Sequence, residues 1–211
     1  MTMRSFVGVA VVALVLAGSV APAFSEGVID LYVGSAMTRD SDVTVSTPAF
    51  SESQRIDWDT SITAGGRFGV WFESLDWLGL ALDVSFFKPD KDVKVFPVSA
   101  LLMLRLPLLR DESVPHGRLQ PYIAAGPGLF VTWLDGDVGN VGVNESAASV
   151  DVGVDVRGGL ALMLTKNIGI FGEYRFTHVK PDFGLDIVDV NFKAKTTFDT
   201  HHVVGGLSFR F

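Results

Sequence analysis

The sequence predicts an all-β fold, an eight-stranded antiparallel up-and-down barrel that crosses a membrane. Three observations lead there. Aliphatic residues recur at every second position in eight separate segments, glycines collect on the opposite face of those segments, and the connections between them tend to alternate between long and short. A period of two belongs to strands and not to helices. A sheet with one apolar face can rest on a soluble core or look outward into lipid, so the rest of the chain has to choose.

The clearest stretch is Val150 to His178. Val150, Val152, Val154, Val156, Leu160, Leu162 and Leu164 alternate with Asp151, Asp155, Arg157, Gly159 and Thr165. After a turn at Thr165, Lys166 and Asn167 the pattern resumes, with Ile168, Ile170, Tyr174 and Phe176 on one face and Phe171, Glu173, Arg175 and Thr177 on the other. This is a hairpin with one greasy and one charged face. A three-residue turn sets Leu164 opposite Ile168 and Arg157 opposite Arg175; a register two residues away keeps the same parity.

At 211 residues the chain is the size of one domain. Its first 25 residues read as a secretory signal peptide: Arg4 is the positive start, Phe6 to Leu16 is apolar, and the small residues Ala21, Ala23 and Ser25 follow. Cleavage is expected after Ser25, or alternatively after Ala23, leaving residues 26–211 as the barrel domain. No later segment is long and continuously apolar. Yet 48% of residues are hydrophobic despite 24 acidic and 17 basic ones, which requires the apolar residues to be dispersed in alternation. The absence of cysteine removes disulfides and thiolate metal sites. A net charge of −7 argues against nucleic acid, which needs a basic stripe.

The first strand sets Ile29, Leu31 and Val33 against Asp30, Tyr32 and Gly34, and a long acidic loop fills 38–60. In that loop Val43 and Val45 keep the parity of the strand, as if it continued past the bilayer. The second strand, about 62–73, carries Ile62, Ala64, Phe68, Val70 and Phe72 opposite Thr63, Gly65, Arg67, Gly69 and Trp71. After a tight turn at 74–76, the third places Leu78, Leu80, Leu82, Val84 and Phe86 opposite Gly79, Ala81, Asp83 and Ser85. A short loop at 88–92 leads to the fourth, with Phe96 to Leu106 on one face and Ser99, Met103 and Arg105 on the other.

Residues 107–118 form a polar connection. The fifth strand, 120–133, holds Pro121 and Pro127, which lack the ladder donor, so it should be bulged or locally unpaired. A second long loop, 134–149, precedes the hairpin described above, and a third spans about 180–200. There Val188, Val190 and Phe192 have even parity while Val203, Leu207, Phe209 and Phe211 of the eighth strand are odd, so a bulge or kink is expected between them.

The glycines bear on the choice between water and lipid. Water tolerates long polar side chains, so a soluble carrier of the lipocalin kind gives no reason for Gly65, Gly69, Gly79, Gly126, Gly128, Gly153, Gly159 and Gly169 to gather on one face, at about 0.5–1 kcal/mol each. A crowded eight-stranded lumen does. The apolar face also ends in aromatics: Phe86, Phe96, Trp133 and Phe176 toward the long loops, and Phe72, Phe209 and Phe211 toward the short turns. These fit two girdles at the headgroup level.

Three segments then carry a resemblance: QPYIAAGPG at 120–128, GEYRFTH at 172–178 and GGLSFRF at 205–211. They resemble the small outer-membrane β-barrel family related to outer membrane proteins A and X of Gram-negative bacteria. The resemblance implies a barrel residing among outer-membrane lipid and lipopolysaccharide, inserted by the outer-membrane assembly machinery, with the terminal Phe211, and Phe209 before it, as the assembly signal. It does not imply a tether to the cell wall, since the match ends with the barrel. A monomer is expected.

With the polar face as lumen, the interior should hold Asp30, Glu73, Asp83, Asp151, Asp155 and Glu173 against Arg67, Arg105, Arg157, Arg175 and Arg210. Unpaired charges in a confined interior cost several kcal/mol each, so near-neutrality points to mutual pairing. Asp30 should lie near Arg210, where the first and last strands meet. The network reads as a salt-bridged plug in preference to a gated ion path, because eight strands leave little more than side-chain room.

No enzyme and no cofactor are expected. A lipid A deacylase would need a nucleophile beside a base, and His178, the best base, is followed by Val179 and Lys180 where that family places a serine two residues on. His201 and His202 point to opposite faces of a strand and cannot share a metal. The segment from Asp135 to Asn140 has a partial calcium-loop spacing without the bidentate glutamate and reads as a turn. Function is left to the long loops, whose strand-like extensions could pair with a surface ligand.

Overall fold

The computed structural model describes residues 24–46, 51–137, 144–187 and 190–211, so the segment read as a signal peptide lies outside the described residues up to position 23. The barrel strands are β1 (Phe24–Thr38), β4 (Thr60–Phe72), β5 (Leu78–Asp90), β6 (Val93–Arg105), β7 (Leu119–Asp137), β8 (Asn144–Met163), β9 (Ile168–Val179) and β12 (Phe198–Arg210). They close in the order β1, β12, β9, β8, β7, β6, β5, β4, and β4 pairs back onto β1. All neighbours are antiparallel and follow one another in sequence, which is the up-and-down arrangement the alternation predicts.

The direction in which the apolar face points settles the choice of solvent. Leu80, Leu102, Val154 and Leu162 are 47%, 50%, 51% and 40% exposed, while Asp83, Arg157 and Glu173 on the opposite face are buried. A water-soluble carrier would show the reverse, so that alternative is overturned. A contiguous wall of exposed leucine and valine is stable only against hydrocarbon.

Local chemistry closes the inner hairpins. In the β8–β9 turn the Thr165 hydroxyl accepts the N–H groups of Asn167 and Ile168 at 3.2 and 3.0 Å, and Arg157 lies opposite Arg175. Pro127 acts as its chemistry requires. The ladder from β6 to β7 runs to Ser99 opposite Gly128, resumes at Leu102 opposite Ala125, and skips the proline and its neighbour between. On its other edge β7 pairs with β8 without interruption.

Two expectations about connections are corrected. Residues 88–92 are not a loop: β5 runs to Asp90 and β6 starts at Val93, so only Lys91 and Asp92 turn, and Asp90 accepts the Lys91 N–H. The long loops are not irregular either: within the second, at 134–149, β7 runs on to Asp137 and β8 starts at Asn144, and the first and third hold strands of their own. They contain β2 (Ser41–Ser46), β3 (Ser51–Ile56), β10 (Asp182–Ile187) and β11 (Val190–Lys195), which join as a separate four-stranded sheet in the order β10, β11, β2, β3.

The kink expected ahead of β12 is also misplaced. Thr196 and Phe198 are both buried, so even parity runs on toward the inward side through Thr200 and His202. The break lies instead at Arg39 and Asp40, between β1 and β2. Val45 pairs with Ala194 beyond that break, and Ser41 bonds Thr196 at 3.0 Å and accepts Trp58 Nε1 at 2.9 Å.

Candidate functional site

Every barrel strand sends at least one polar side chain to a layer at mid-barrel: Asp30 and Tyr32 from β1, Arg67 from β4, Asp83 from β5, Ser99 from β6, Tyr122 from β7, Asp155 and Arg157 from β8, Glu173 and Arg175 from β9, and Ser208 from β12. All are buried. Arg67 donates to Asp30 through Nε at 2.8 Å and to Glu173 through Nη1 at 2.6 Å. Arg157 grips Asp155 with Nε and Nη2 at 2.8 and 2.5 Å and reaches Asp83 with Nη1 at 2.6 Å. Arg175 bonds Glu173, lies 3.5 Å from Asp83, and stacks its guanidinium 3.8 Å from the centre of the Tyr32 ring.

The remaining lone pairs are also used. Tyr32 donates to Asp83 and Tyr122 to Glu173, each at 2.7 Å, Ser99 donates to Asp155 at 2.7 Å, and Ser208 to Asp30. Like charges directly opposite across a ladder repel, and Arg157 faces Arg175. Asp83 offsets the repulsion by presenting one carboxylate oxygen to each guanidinium, Oδ2 to Arg157 and Oδ1 to Arg175.

Glycine makes the layer possible at two points. A Cβ on Gly65 would meet the Tyr32 hydroxyl at 2.4 Å, and one on Gly159 would meet the Tyr122 ring at 2.6 Å. Each glycine is the socket for a tyrosine that caps a carboxylate.

Apolar belts lie on both sides of the charges, so carboxylates, guanidiniums and glycines do not fill the interior alone. Toward the inner end Val28, Trp71, Leu101, Met103 and Phe171 pack together; toward the outer end Ala36, Phe87, Val95, Phe130, Val179 and Phe198 form a cap, with Trp58 against it. A void of about 10 Å³ lined by Asp30, Arg67, Trp71 and Tyr122 is room for about one water.

Several residues lie elsewhere than sequence reading put them. Glu73 follows the end of β4 and is exposed in the turn, outside the lumen. Asp151 is half-buried above the layer, where Ser149 donates to it. Arg210, by contrast, lies near Asp30 as expected, diagonal to it across the ladder between the first and last strands, but Asp30's oxygens are hydrogen-bonded to Arg67 and Ser208, and Arg210 lies 3.8 Å from Glu26. Arg105 also joins Glu26, at 2.5 Å, and lies over Trp71. Glu26, Tyr32, Tyr122, Ser99 and Ser208 were missed as network members, although parity alone puts both tyrosines on the polar face.

The outward aromatics sit near the ends of the wall. Phe86 and Trp133 are exposed, Trp133 packs edge-on against half-buried Phe96, and Phe176 packs on His201, whose ring meets the Tyr174 hydroxyl at 2.5 Å. At the other end Phe72 and Phe209 are half-buried, Phe211 is exposed just past β12, and Trp77 is an exposed aromatic that the alternation did not single out. His178 is engaged by Asp199 at 2.6 Å, and His202 is buried on the opposite face from His201. Among the described residues no three His, Cys, Asp or Glu side chains form a metal-holding group. Of the turn from Asp135 to Asn140, positions 138–140 lie outside the described residues.

A family model described as the outer membrane protein beta-barrel domain matches residues 10–211. The chain belongs to that family. It is accordingly an outer-membrane protein, and the lipid its leucines face is the outer membrane. Solved structures share the barrel at low identity: the outer membrane protein OprG from Pseudomonas aeruginosa (15% identity, TM-score 0.63, covering 90% of this chain and 97% of that one), the outer membrane protein AlkL in lipid bilayers (16%, 0.56, 92% and 94%), and neisserial surface protein A (16%, 0.52, 86% and 97%). At these identities the likeness is one of fold. No curated protein sequence matches.

Proposed function

We propose that this outer-membrane barrel is a closed scaffold whose function resides in the four-stranded sheet it carries outside the membrane, for adhesion or capture of a surface ligand. One observation carries the reading. The mid-barrel layer is bonded across all eight strands, with apolar belts above and below it, while the longest connections are folded into strands in place of a mobile fringe. In that sheet β3 is a terminal strand, with no second strand paired to it among the described residues, and a terminal strand is the kind that pairs with an incoming extended segment.

The reading includes a monomeric barrel, insertion by the outer-membrane assembly machinery through Phe209 and Phe211, and lipopolysaccharide around the outer half of the wall. It assigns no enzymatic role, because Lys180 stands two residues after His178, where a deacylase of this kind places its serine. The test has two arms. In planar bilayers the purified protein should show no stable, large open state, and such a state would establish a pore instead. Deleting 40–58 and 182–197 should abolish binding in a screen against lipids, host matrix and envelope proteins while the barrel still folds; unchanged binding defeats the adhesion reading.

A further inference from the structure

The inner mouth of the barrel carries a positive surplus that the mid-barrel network does not absorb. Two buried guanidiniums, Arg105 and Arg210, share the single buried carboxylate of Glu26. Arg105 takes it at 2.5 Å, which leaves Arg210 at 3.8 Å, beyond a hydrogen bond. Nε and Nη1 of Arg210 and Nη2 of Arg105 have no hydrogen-bond partner among the described residues, although Arg210 is only 7% exposed. Asp30, diagonal to Arg210 on the neighbouring strand, lends it charge but no hydrogen bond, because its oxygens are held by Arg67 and Ser208.

The central layer shows the opposite imbalance, four carboxylates (Asp30, Asp83, Asp155, Glu173) to three guanidiniums (Arg67, Arg157, Arg175). The interior is therefore polarised along its axis, positive toward the inner end. There Arg210 lines a cavity of about 190 Å³ whose wall also includes Glu26, His116, Gln120, Lys166 and Asn167. Buried cations without a full set of acceptors are costly, and an anion bearing several acceptor oxygens removes that cost.

We propose that this inner vestibule is an oxyanion-binding site, taking a phosphate group against Arg210 with Lys166 and Asn167 at its rim. The phosphate comes either from a small soluble anion or from an inner-leaflet phospholipid headgroup. The site lies at the opposite end of the barrel from the outer sheet and does not depend on what that sheet binds.

The test uses isotopically labelled full-length protein in nonionic micelles and phosphate-free buffer, titrated at constant ionic strength with inorganic phosphate and, separately, with dihexanoyl phosphatidic acid. The readouts are the Arg210 Nε–H and Asn167 side-chain resonances. A saturable shift is expected, weakened about tenfold or more in Arg210→Gln by loss of a charge-assisted hydrogen bond and several-fold in Lys166→Gln, whose exposed side chain leaves folding untouched. A response to both titrants identifies a small-anion site, and a response to phosphatidic acid alone identifies a headgroup site. Absence of a saturable shift with either, or equal shifts in wild type and Lys166→Gln, overturns the proposal.

Discussion

Glu173 shows how much rests on single side chains in this lumen. Its carboxylate accepts from Arg67, Arg175 and Tyr122 at once. Glu173→Gln keeps the shape and removes the charge, leaving two buried guanidiniums short of a partner. Breaking a buried pair from one side costs about 3–5 kcal/mol, so denaturant unfolding in lipid vesicles should show a loss of that order. Gly65→Ala and Gly159→Ala should each cost about 1–3 kcal/mol in the same measurement, since the added methyl meets a tyrosine that cannot retreat without releasing its carboxylate. Parity made the inward set legible, and of the two registers it allowed at the 165–167 turn the structure takes the one with Arg157 opposite Arg175. Parity could not say which carboxylate each arginine reaches, because a guanidinium spans several ladder rungs: Arg67 pairs with Asp30 on the adjacent strand and equally with Glu173 across the lumen. Glu73 and Asp151 were misjudged for a related reason, since alternation does not reveal where a strand leaves the enclosed part of the barrel.

At the scale of elements, Trp58 is the fastener between the outer sheet and the barrel. Its ring packs edge-on to Phe198 with centroids 5.0 Å apart, and its Nε1 donates to Ser41 at the start of β2. Trp58→Ala should loosen β2 and β3 by about 1–3 kcal/mol, from lost ring burial and the lost aromatic pair. Hydrogen exchange would then show faster amides in those strands and unchanged ones in β5, β8 and β9. A second device lies at the inner end, where Asp111 organises the connection between β6 and β7 by accepting from Arg118 Nε and from the N–H groups of Val114 and Ser113, each at 2.8 Å. Those bonds, Arg118's foremost, hold its carboxyl below the ordinary carboxylate value. A depressed carboxyl contributes order above its ordinary value and loses it as pH falls through the lowered one. Amide protection at Ser113 and Val114 should therefore persist through mildly acidic conditions and fail only below the usual aspartate range, while Asp111→Ala removes it at every pH. The outer sheet was half legible. Val43, Val45, Val190 and Phe192 show strand alternation in sequence, but the pairing register slips by one residue between β1 and β2, and parity alone does not say on which strand such a slip falls.

For the whole molecule, the physical claim is that the exposed apolar wall meets hydrocarbon, and a charge moved along one face tests it. Leu82, outward and 45% exposed, lies midway along β5 between Leu78 at the inner end and Phe86 near the outer girdle. From Leu78 to Phe86 the strand advances about 26 Å, which a tilt of about 40° turns into roughly 20 Å of depth, most of the apolar band of such a barrel. Leu82 therefore sits near the midplane. Val150, 59% exposed toward the outer end of β8, sits near the interface. In water both substitutions to arginine would be harmless, because exposed positions tolerate charge. In lipid the cost depends on depth: Leu82→Arg should lower the stability of the refolded barrel by about 2–4 kcal/mol and Val150→Arg by about 0–1 kcal/mol. The same pair should reverse in importance for the outer sheet, whose solvent is water, so hydrogen exchange in β2 and β3 should be unaffected by Leu82→Arg as long as the barrel is folded. Equal and small costs at the two positions would mean that the wall of leucines is covered by something other than a bilayer.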